Sequence, residues 1–323
     1  MFSSPLWNPL KGSGVIFDWD GVLAETRLDF SGIRERYFGG KRAAILEEMS
    51  LMDEEKRRAL SEEIRAIELA GAEKAVPVPG SREVVDLVSK AGIPWAVVSR
   101  NCPESIELAA RTIGFKLPVH TFHRESGPIK PSPEALWMAA EAIGSASSGC
   151  TVVGDFVYDL LGARRAGMRA VLVERSSVDW GHWADVFYPR MTDFLSALIN
   201  EDPIVPWEYH GLVSERGLSW LTSAWNVSIA LPELWDEAIL NSLMSLAELG
   251  VGRFTVKAGT LTFDEWRGLS WLSPKDLERP KAFVLARALK KRYPKVVVEE
   301  CEEGLPLASL GGDLVNGLER HLS

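Results

Sequence analysis

The sequence predicts an α/β protein: a doubly wound parallel sheet with an inserted helical cap, followed by a second, smaller α/β domain. Three observations support this. Short apolar runs without alternation recur at 15–17, 95–98, 151–153 and 170–173, as in strands buried on both faces. Helical patterns of about ten residues separate most of them, the rhythm of crossover connections. A stretch rich in Glu, Arg, Lys, Ala and Leu at 27–79 breaks that rhythm directly after the first run, so it is expected outside the sheet.

The first run leads into Asp18-Trp19-Asp20-Gly21, where Gly21 permits a sharp turn out of the sheet. Residues 27–79 read as two to four helices, the clearest over 53–75, with apolar positions at Ile45, Met49, Leu51 and Leu60. The charge run at 54–58 reads as a solvated helix face. Pro77 and Pro79-Gly80 end the segment. Alternation then resumes: helix 81–91, strand 95–98 ending at Ser99-Arg100-Asn101, helix 104–113, short strand 119–122, and helix 133–143. Strand 151–153 ends at Gly154-Asp155, followed by helix 158–166, strand 170–173 and a final helix at 191–199.

Segments 1–26 and 80–200 are therefore expected to form the core, and 27–79 the cap. Pro203, Pro206 and Trp207 mark a linker, and 203–323 reads as the second α/β domain. This tail carries six of the twelve tryptophans, and Gly217-Leu-Ser-Trp220-Leu recurs as Gly268-Leu-Ser-Trp271-Leu. Segments 232–256 and 274–298 each read as a helix running without a gap into a strand.

Composition excludes several classes. The chain has 323 residues, 46% hydrophobic and 25% charged, which is ordinary globular usage at more than one domain's length. A net charge of −9 argues against a nucleic-acid partner. Cys102, Cys150 and Cys301 are odd in number and far apart, so neither a disulfide framework nor a zinc site is expected. Residues 1–11 lack a signal-peptide pattern, and no apolar run reaches about 18 residues, so no membrane partner is expected. A cytoplasmic location is the expectation.

Parallel strands bring their carboxyl ends to one sheet edge, where open α/β sheets bind ligands. That edge collects Asp18 and Asp20, then Ser99, then Lys130 of Ile129-Lys130-Pro131, then Asp155 with Asp159 one helical turn later. Adjacent carboxylates repel unless a cation or protons intervene, and a hard cation such as magnesium suits oxygen ligands. Acids, one hydroxyl and one ammonium are the inventory of phosphoryl transfer through an aspartyl phosphate. Asp18, directly after the strand, is the nucleophile candidate. Asp20 can protonate the leaving oxygen and then deprotonate water. Ser99 can hydrogen-bond a phosphoryl oxygen, and Lys130 supplies positive charge. Arg100 and Asn101 are loop residues within reach of substrate. Asp18, Asp20, Asp155 and Asp159 are the metal candidates, although Asp159 also reads as a helix N-terminal acid and Ser99 as a turn cap.

Together these motifs resemble the haloacid dehalogenase superfamily. Phe17-Asp18-Trp19-Asp20-Gly21-Val22 matches its first motif, Val98-Ser99 its second, Lys130-Pro131 its third, and Gly154-Asp155 through Asp159 its fourth. The resemblance covers about residues 13–199. It implies a Rossmann-like core, Mg2+, a covalent aspartyl phosphate, and a small helical cap of the phosphoglycolate phosphatase type. Members similar to true dehalogenases lack the second aspartate, so Asp20 favours hydrolysis of a small phosphorylated metabolite. Trp19 is bulkier than the residue usual there, and Glu25 stands where such phosphatases often have Asp. A phosphomutase of the same fold would use the same residues. A non-catalytic phosphate-binding or regulatory protein acting through the tail is the reading from another class. The tail itself reads as an interaction or homo-oligomerisation module.

Overall fold

The computed structural model describes residues 5–41, 43–176, 178–200, 203–301 and 303–322. Met1–Ser4 of the N-terminal stretch, and Glu201 and Asp202 at the expected linker, lie outside the described residues. The chain divides into two compact units, Asn8–Asp202 and a unit formed by Pro203–Ser323 with Met1–Trp7. The expected start of the core at residue 1 therefore moves to Asn8, because Trp7 pairs with Ile204 rather than with the core sheet.

In the larger unit, β1 (Gly14–Phe17) is followed by β2 (Ala24–Glu25) and three cap helices: α1 (Ser31–Phe38), α2 (Ile45–Ser50) and α3 (Glu54–Ala72). Then come β3 (Val76–Pro77), α4 (Ser81–Lys90), β4 (Trp95–Val98), α5 (Pro103–Ile113), β5 (Thr121–Phe122) and α6 (Pro133–Ala142). β6 (Cys150–Gly154), α7 (Val157–Ala166), β7 (Arg169–Val173), β8 (Val186–Tyr188) and α8 (Met191–Ile199) complete it. The sheet order is β5-β4-β1-β6-β7-β8, parallel throughout, with β1 between β4 and β6. Ile16, Ala96 and Val152 pack with Leu136, Ala139, Leu160 and Ala163 of α6 and α7. Val15 and Phe17 point to the opposite face and are equally buried, which explains the unbroken apolar runs.

The cap is pinned by β2 and β3, which pair antiparallel at the insertion's two ends. Two-residue strands are too short for a periodic sequence signal. Ile33, Leu60 and Ile64 form a small cap core with Ile45, Leu46 and Met49. Leu51, expected among the buried positions, is 82% exposed because it follows the end of α2. The short strand expected at 119–122 shrinks to Thr121–Phe122, with Val119 at the surface.

The smaller unit contains α9 (His210–Trp225), β9 (Ser228–Ala230), α10 (Glu237–Glu248), β10 (Arg253–Val256), α11 (Phe263–Arg267), α12 (Lys281–Leu289), β11 (Val297–Glu300), β12 (Leu305–Pro306) and α13 (Leu314–Leu322). Its parallel sheet has the order β11-β10-β9-β12. Leu243, Phe254, Leu289 and Trp225 lie in its own core. The helix–strand pairs are separated by turns rather than fused. The repeated pentapeptide has no common structure: its first copy lies in α9, kinked at Gly217, and its second in the turn after α11.

Candidate active site

Asp18 leaves β1 with its N–H on the Val153 carbonyl, 2.9 Å away, which fixes it beside the end of β6. Its Oδ1 accepts from the Trp19 N–H at 2.7 Å and lies 2.7 Å from the Lys130 Nζ. That ammonium, on a side chain 1% exposed, also lies 2.6 Å from Asp159 Oδ1. Asp159 Oδ2 accepts from the Phe156 N–H at the start of α7, so Asp159 is both a helix cap and a lysine partner. Carboxylate oxygens of Asp18, Asp155 and Asp159 lie within 4.8 Å of one another. Two glycines permit this approach. A Cβ on Gly21, whose φ is +77°, would collide with the Asp155 carboxylate, and one on Gly154 would collide with Asp159.

Burial and the Asp159 charge lift the Asp18 carboxyl to about 7, against the pull of Lys130. Burial, then Asp159 and Asp18, drive Asp155 well above the usual carboxylate range. Burial also raises Asp20, although two hydrogen bonds from Thr26 oppose it. For Lys130, burial alone would lower the ammonium, but Asp159 and Asp18 outweigh it and hold the group above its ordinary value.

The other expected residues line the same cavity of about 1020 Å³, which the cap helices and the sheet edge enclose together. Ser99 is buried, and its Oγ accepts from the Asn101 N–H at 3.2 Å. Asn101 is buried beside it. Arg100 is not left open for substrate. Its Nη1 and Nη2 clasp the Glu47 carboxylate of α2 at 2.8 and 2.9 Å, it donates to the Lys130 carbonyl, and it lies over the Tyr158 ring at 4.1 Å. Asp20 also departs from expectation. Its Oδ1 accepts from the Thr26 N–H at 3.0 Å and from the Thr26 hydroxyl, and its side chain is outside the acidic cluster. Trp19 points into the core against Phe115, which explains a bulky residue between two site acids.

Three site features escaped the sequence analysis. Arg175, just past β7, donates from Nη2 to Asp155 Oδ2 at 2.6 Å and from Nε to the Asp155 carbonyl. The strand-end argument extends to it directly. Glu68 lines the cavity from α3, accepts from the Cys102 N–H and pairs with Arg124. Its signal was a carboxylate in the stripe Leu60, Ile64, Glu68, Ala72, where spacing predicts an apolar face. Glu47 gave no signal, since its partner depends on how the cap folds over the core.

The donor set fits a hard cation. Asp18, Asp155 and Asp159 offer only carboxylate oxygens, and burial with mutual repulsion leaves their charge undercompensated by Lys130 and Arg175. Both Asp159 oxygens are engaged, Oδ1 by Lys130 and Oδ2 by the Phe156 N–H, whereas Lys130 and the Trp19 N–H take only Oδ1 of Asp18 and Arg175 only Oδ2 of Asp155, which leaves Asp18 and Asp155 as the stronger ligands.

A family model, described as haloacid dehalogenase-like hydrolase, matches residues 13–167. The matched segment is similar to hydrolases of that family and takes in Asp18, Lys130, Asp155 and Asp159; the chain is a hydrolase. A phosphoglycolate phosphatase from Xanthomonas campestris is 27% identical over 233 residues, covering 65% of this chain and 96% of the relative. A Mycobacterium tuberculosis protein named Phosphatase MT3486 is 26% identical over 194 residues, 51% of this chain and 88% of its own. A solved hydrolase from Pseudomonas syringae shares the fold at a TM-score of 0.51 and 19% identity, covering 58% of this chain and 99% of that one.

Proposed function

We propose that the chain is a magnesium-dependent phosphatase that hydrolyses a small phosphorylated metabolite through an aspartyl phosphate on Asp18. The single observation that carries this is the convergence of Asp18, Asp155 and Asp159 around the buried Lys130 ammonium. The names of the phosphatase relatives support it. Asp18 and Asp155 would hold the metal, with Asp159 fixing Lys130 beside them. Bound there, magnesium would neutralise the acids and draw the anionic phosphate towards them.

The chain's own groups divide the work. Lys130 and the Trp19 N–H both occupy Asp18 Oδ1, so Oδ2 is the attacking oxygen. As the O–P bond to Oδ2 forms, the ester P–O bond breaks, and Asp20 gives its proton to the departing oxygen. Thr26 tethers Asp20 Oδ1 and leaves Oδ2 to carry that proton, and burial favours the protonated form. Asp20 then takes a proton from the water that attacks phosphorus and frees Asp18. Ser99 donates to a phosphoryl oxygen. Asn101 and Arg100 border the phosphate, Arg100 chiefly as a clasp to the cap. Arg175 completes the charge around Asp155.

The test is acid quenching during turnover of a phosphate ester, followed by peptide mass analysis. A phosphoryl group on the Asp18 peptide is expected. Asp18→Asn should lower turnover at least about a thousandfold while the fold persists. Near-normal hydrolysis by that variant would refute the assignment. Release of inorganic phosphate separates hydrolysis from mutase chemistry.

Residues 203–323 serve as an interaction or homo-oligomerisation module in this reading. They present exposed Leu234, Phe263 and Phe283, and sedimentation of the full chain tests it. The unpaired cysteines accord with a cytoplasmic location.

A further inference from the structure

The two oxygens of Asp155 stand in different surroundings. Oδ2 accepts from Arg175 Nη2 at 2.6 Å, while Oδ1 has no partner among the described residues. Oδ2 is also the oxygen nearer Gly21: a Cβ there would overlap it, yet would stand 3.2 Å from Oδ1. One side of the carboxylate is thus packed against backbone and held by a guanidinium, and the other is open.

Arg175 is itself fixed. Its Nε donates to the Asp155 carbonyl at 3.1 Å, and its Nη1 to the Glu174 carbonyl at 3.4 Å. Glu174 has a left-handed φ of +57°, uncommon for a residue with a Cβ, and its carboxylate accepts from the Met191 N–H at 2.6 Å. That turn directly follows β7, and it brings Arg175 to the end of the neighbouring β6, where Asp155 begins. Arg175 belongs to none of the four sequence motifs.

The consequence concerns which cation fits. Mg2+ demands near-octahedral oxygen ligands at about 2.0–2.1 Å and keeps several waters, so one oxygen per carboxylate suffices. Ca2+ takes about six to eight oxygens at about 2.3–2.6 Å and uses both oxygens of one carboxylate readily. The neighbouring acids offer no such pair: both Asp159 oxygens are engaged, and Lys130 and the Trp19 N–H share Oδ1 of Asp18. Asp155 would supply a pair if Arg175 released it.

We infer that Arg175 is a positioning residue that sets the metal preference: by taking Oδ2 it restricts Asp155 to one oxygen and biases the site towards Mg2+ over Ca2+. This rests on the reading of these acids as the magnesium site and deepens it: Asp18 and Asp155 attract a cation, and Arg175 discriminates between cations. Its positive charge opposes two divalent ions alike, so the ratio of their affinities carries the signature and neither affinity alone does.

The test is calorimetric titration of the full chain, stripped of metal, with magnesium chloride and separately with calcium chloride. Wild type, Arg175→Met and Arg175→Lys are compared, with melts in chelator to confirm that each folds. Methionine removes every donor. Arg175→Met should shift the ratio of the two Kd values towards calcium by about tenfold. Arg175→Lys keeps the charge but cannot hold Oδ2 and the Asp155 carbonyl together, so it should shift the ratio the same way by less. Should Arg175→Met fail to fold, the direction of the Arg175→Lys shift decides. A ratio unchanged in the folded variants overturns the inference, whether the separate affinities rise, fall or stay, and leaves the magnesium reading intact. A wild type that binds neither cation would instead sink the magnesium reading, and this inference with it.

Discussion

The two units present the same kind of sheet edge and treat charge at it in opposite ways. Both sheets are parallel, so both gather strand ends and the helix starts that follow. In the smaller unit, two acids that burial would penalise, Asp276 and Glu265, have partners of their own. Asp276, 1% exposed, accepts from the Ser273 N–H at 2.7 Å and from its hydroxyl at 2.9 Å, and pairs with Arg287 at 2.5 Å. Glu265 accepts from the Thr262 N–H and pairs with Lys281 at 2.6 Å. Burial alone would raise both carboxyls, but these partners outweigh it and hold them below their ordinary values. In the larger unit Asp18, Asp20 and Asp155 all move the other way. A parallel sheet edge is thus only a location. Acids left short of protein partners make it a place where a cation and a phosphate belong.

The largest expected effect concerns that shortage. Asp155→Asn removes a charged oxygen ligand, and magnesium or manganese affinity measured by calorimetry on the full chain should fall at least about tenfold. Removing Asp276 by the matching Asp276→Asn change should leave metal affinity as it was. Equal effects at both sites would erase the distinction between the two edges.

A smaller effect sharpens the comparison through pH. For Asp18 the folded carboxyl is raised to about 7 from an ordinary value of 3.8. Between those values the folded state holds more protons than the unfolded one, so stability falls as pH rises. For Glu265 and Asp276 the folded carboxyls are depressed, so their contribution is present above the ordinary carboxylate value and is lost as pH falls through the folded one. In calorimetric melts of the chelated full chain, the larger unit should therefore lose stability from about pH 4 to pH 7. The smaller unit should lose it only as the solution becomes more acidic. Asp18→Asn should flatten the first slope and leave the second. Parallel slopes in both units would contradict the charge argument.

How much of this was legible follows the same physics. Buried parallel strands are unbroken apolar runs, so β1, β4, β6 and β7 could be read from the sequence, and with them the residues at their carboxyl ends. β8 was not read, since its three residues include the half-exposed Phe187 and offer no run. Lys130 was legible by type and position, although its two partners were not. Asp20 was placed among the metal ligands by adjacency alone. The turn at Gly21 instead carries its side chain to Thr26, a contact made six residues on. Contacts from the cap, such as Glu47 to Arg100, were invisible, because the pairing is fixed by how an insertion folds back over the sheet.

The smallest expected effect is on chemistry from within the smaller unit. Every described residue lining the cavity lies between Asp18 and Arg175, and the acids and ammonium assigned to the reaction lie in the same span. Leu243 is fully buried in the other unit's core, on α10. Leu243→Ala should cost about 2–5 kcal/mol there, through lost transfer energy and the cavity left behind. Since each unit buries its own core, the full chain should melt in two transitions, and this variant should lower only one of them. Below both transitions, hydrolysis of 4-nitrophenyl phosphate per molecule should match the wild type. Loss of that activity in step with the lowered transition would mean that the smaller unit shapes the site after all. A single transition shifted as a whole would mean that the two sheets fold as one body, and the contrast between their edges would then describe two regions of one domain.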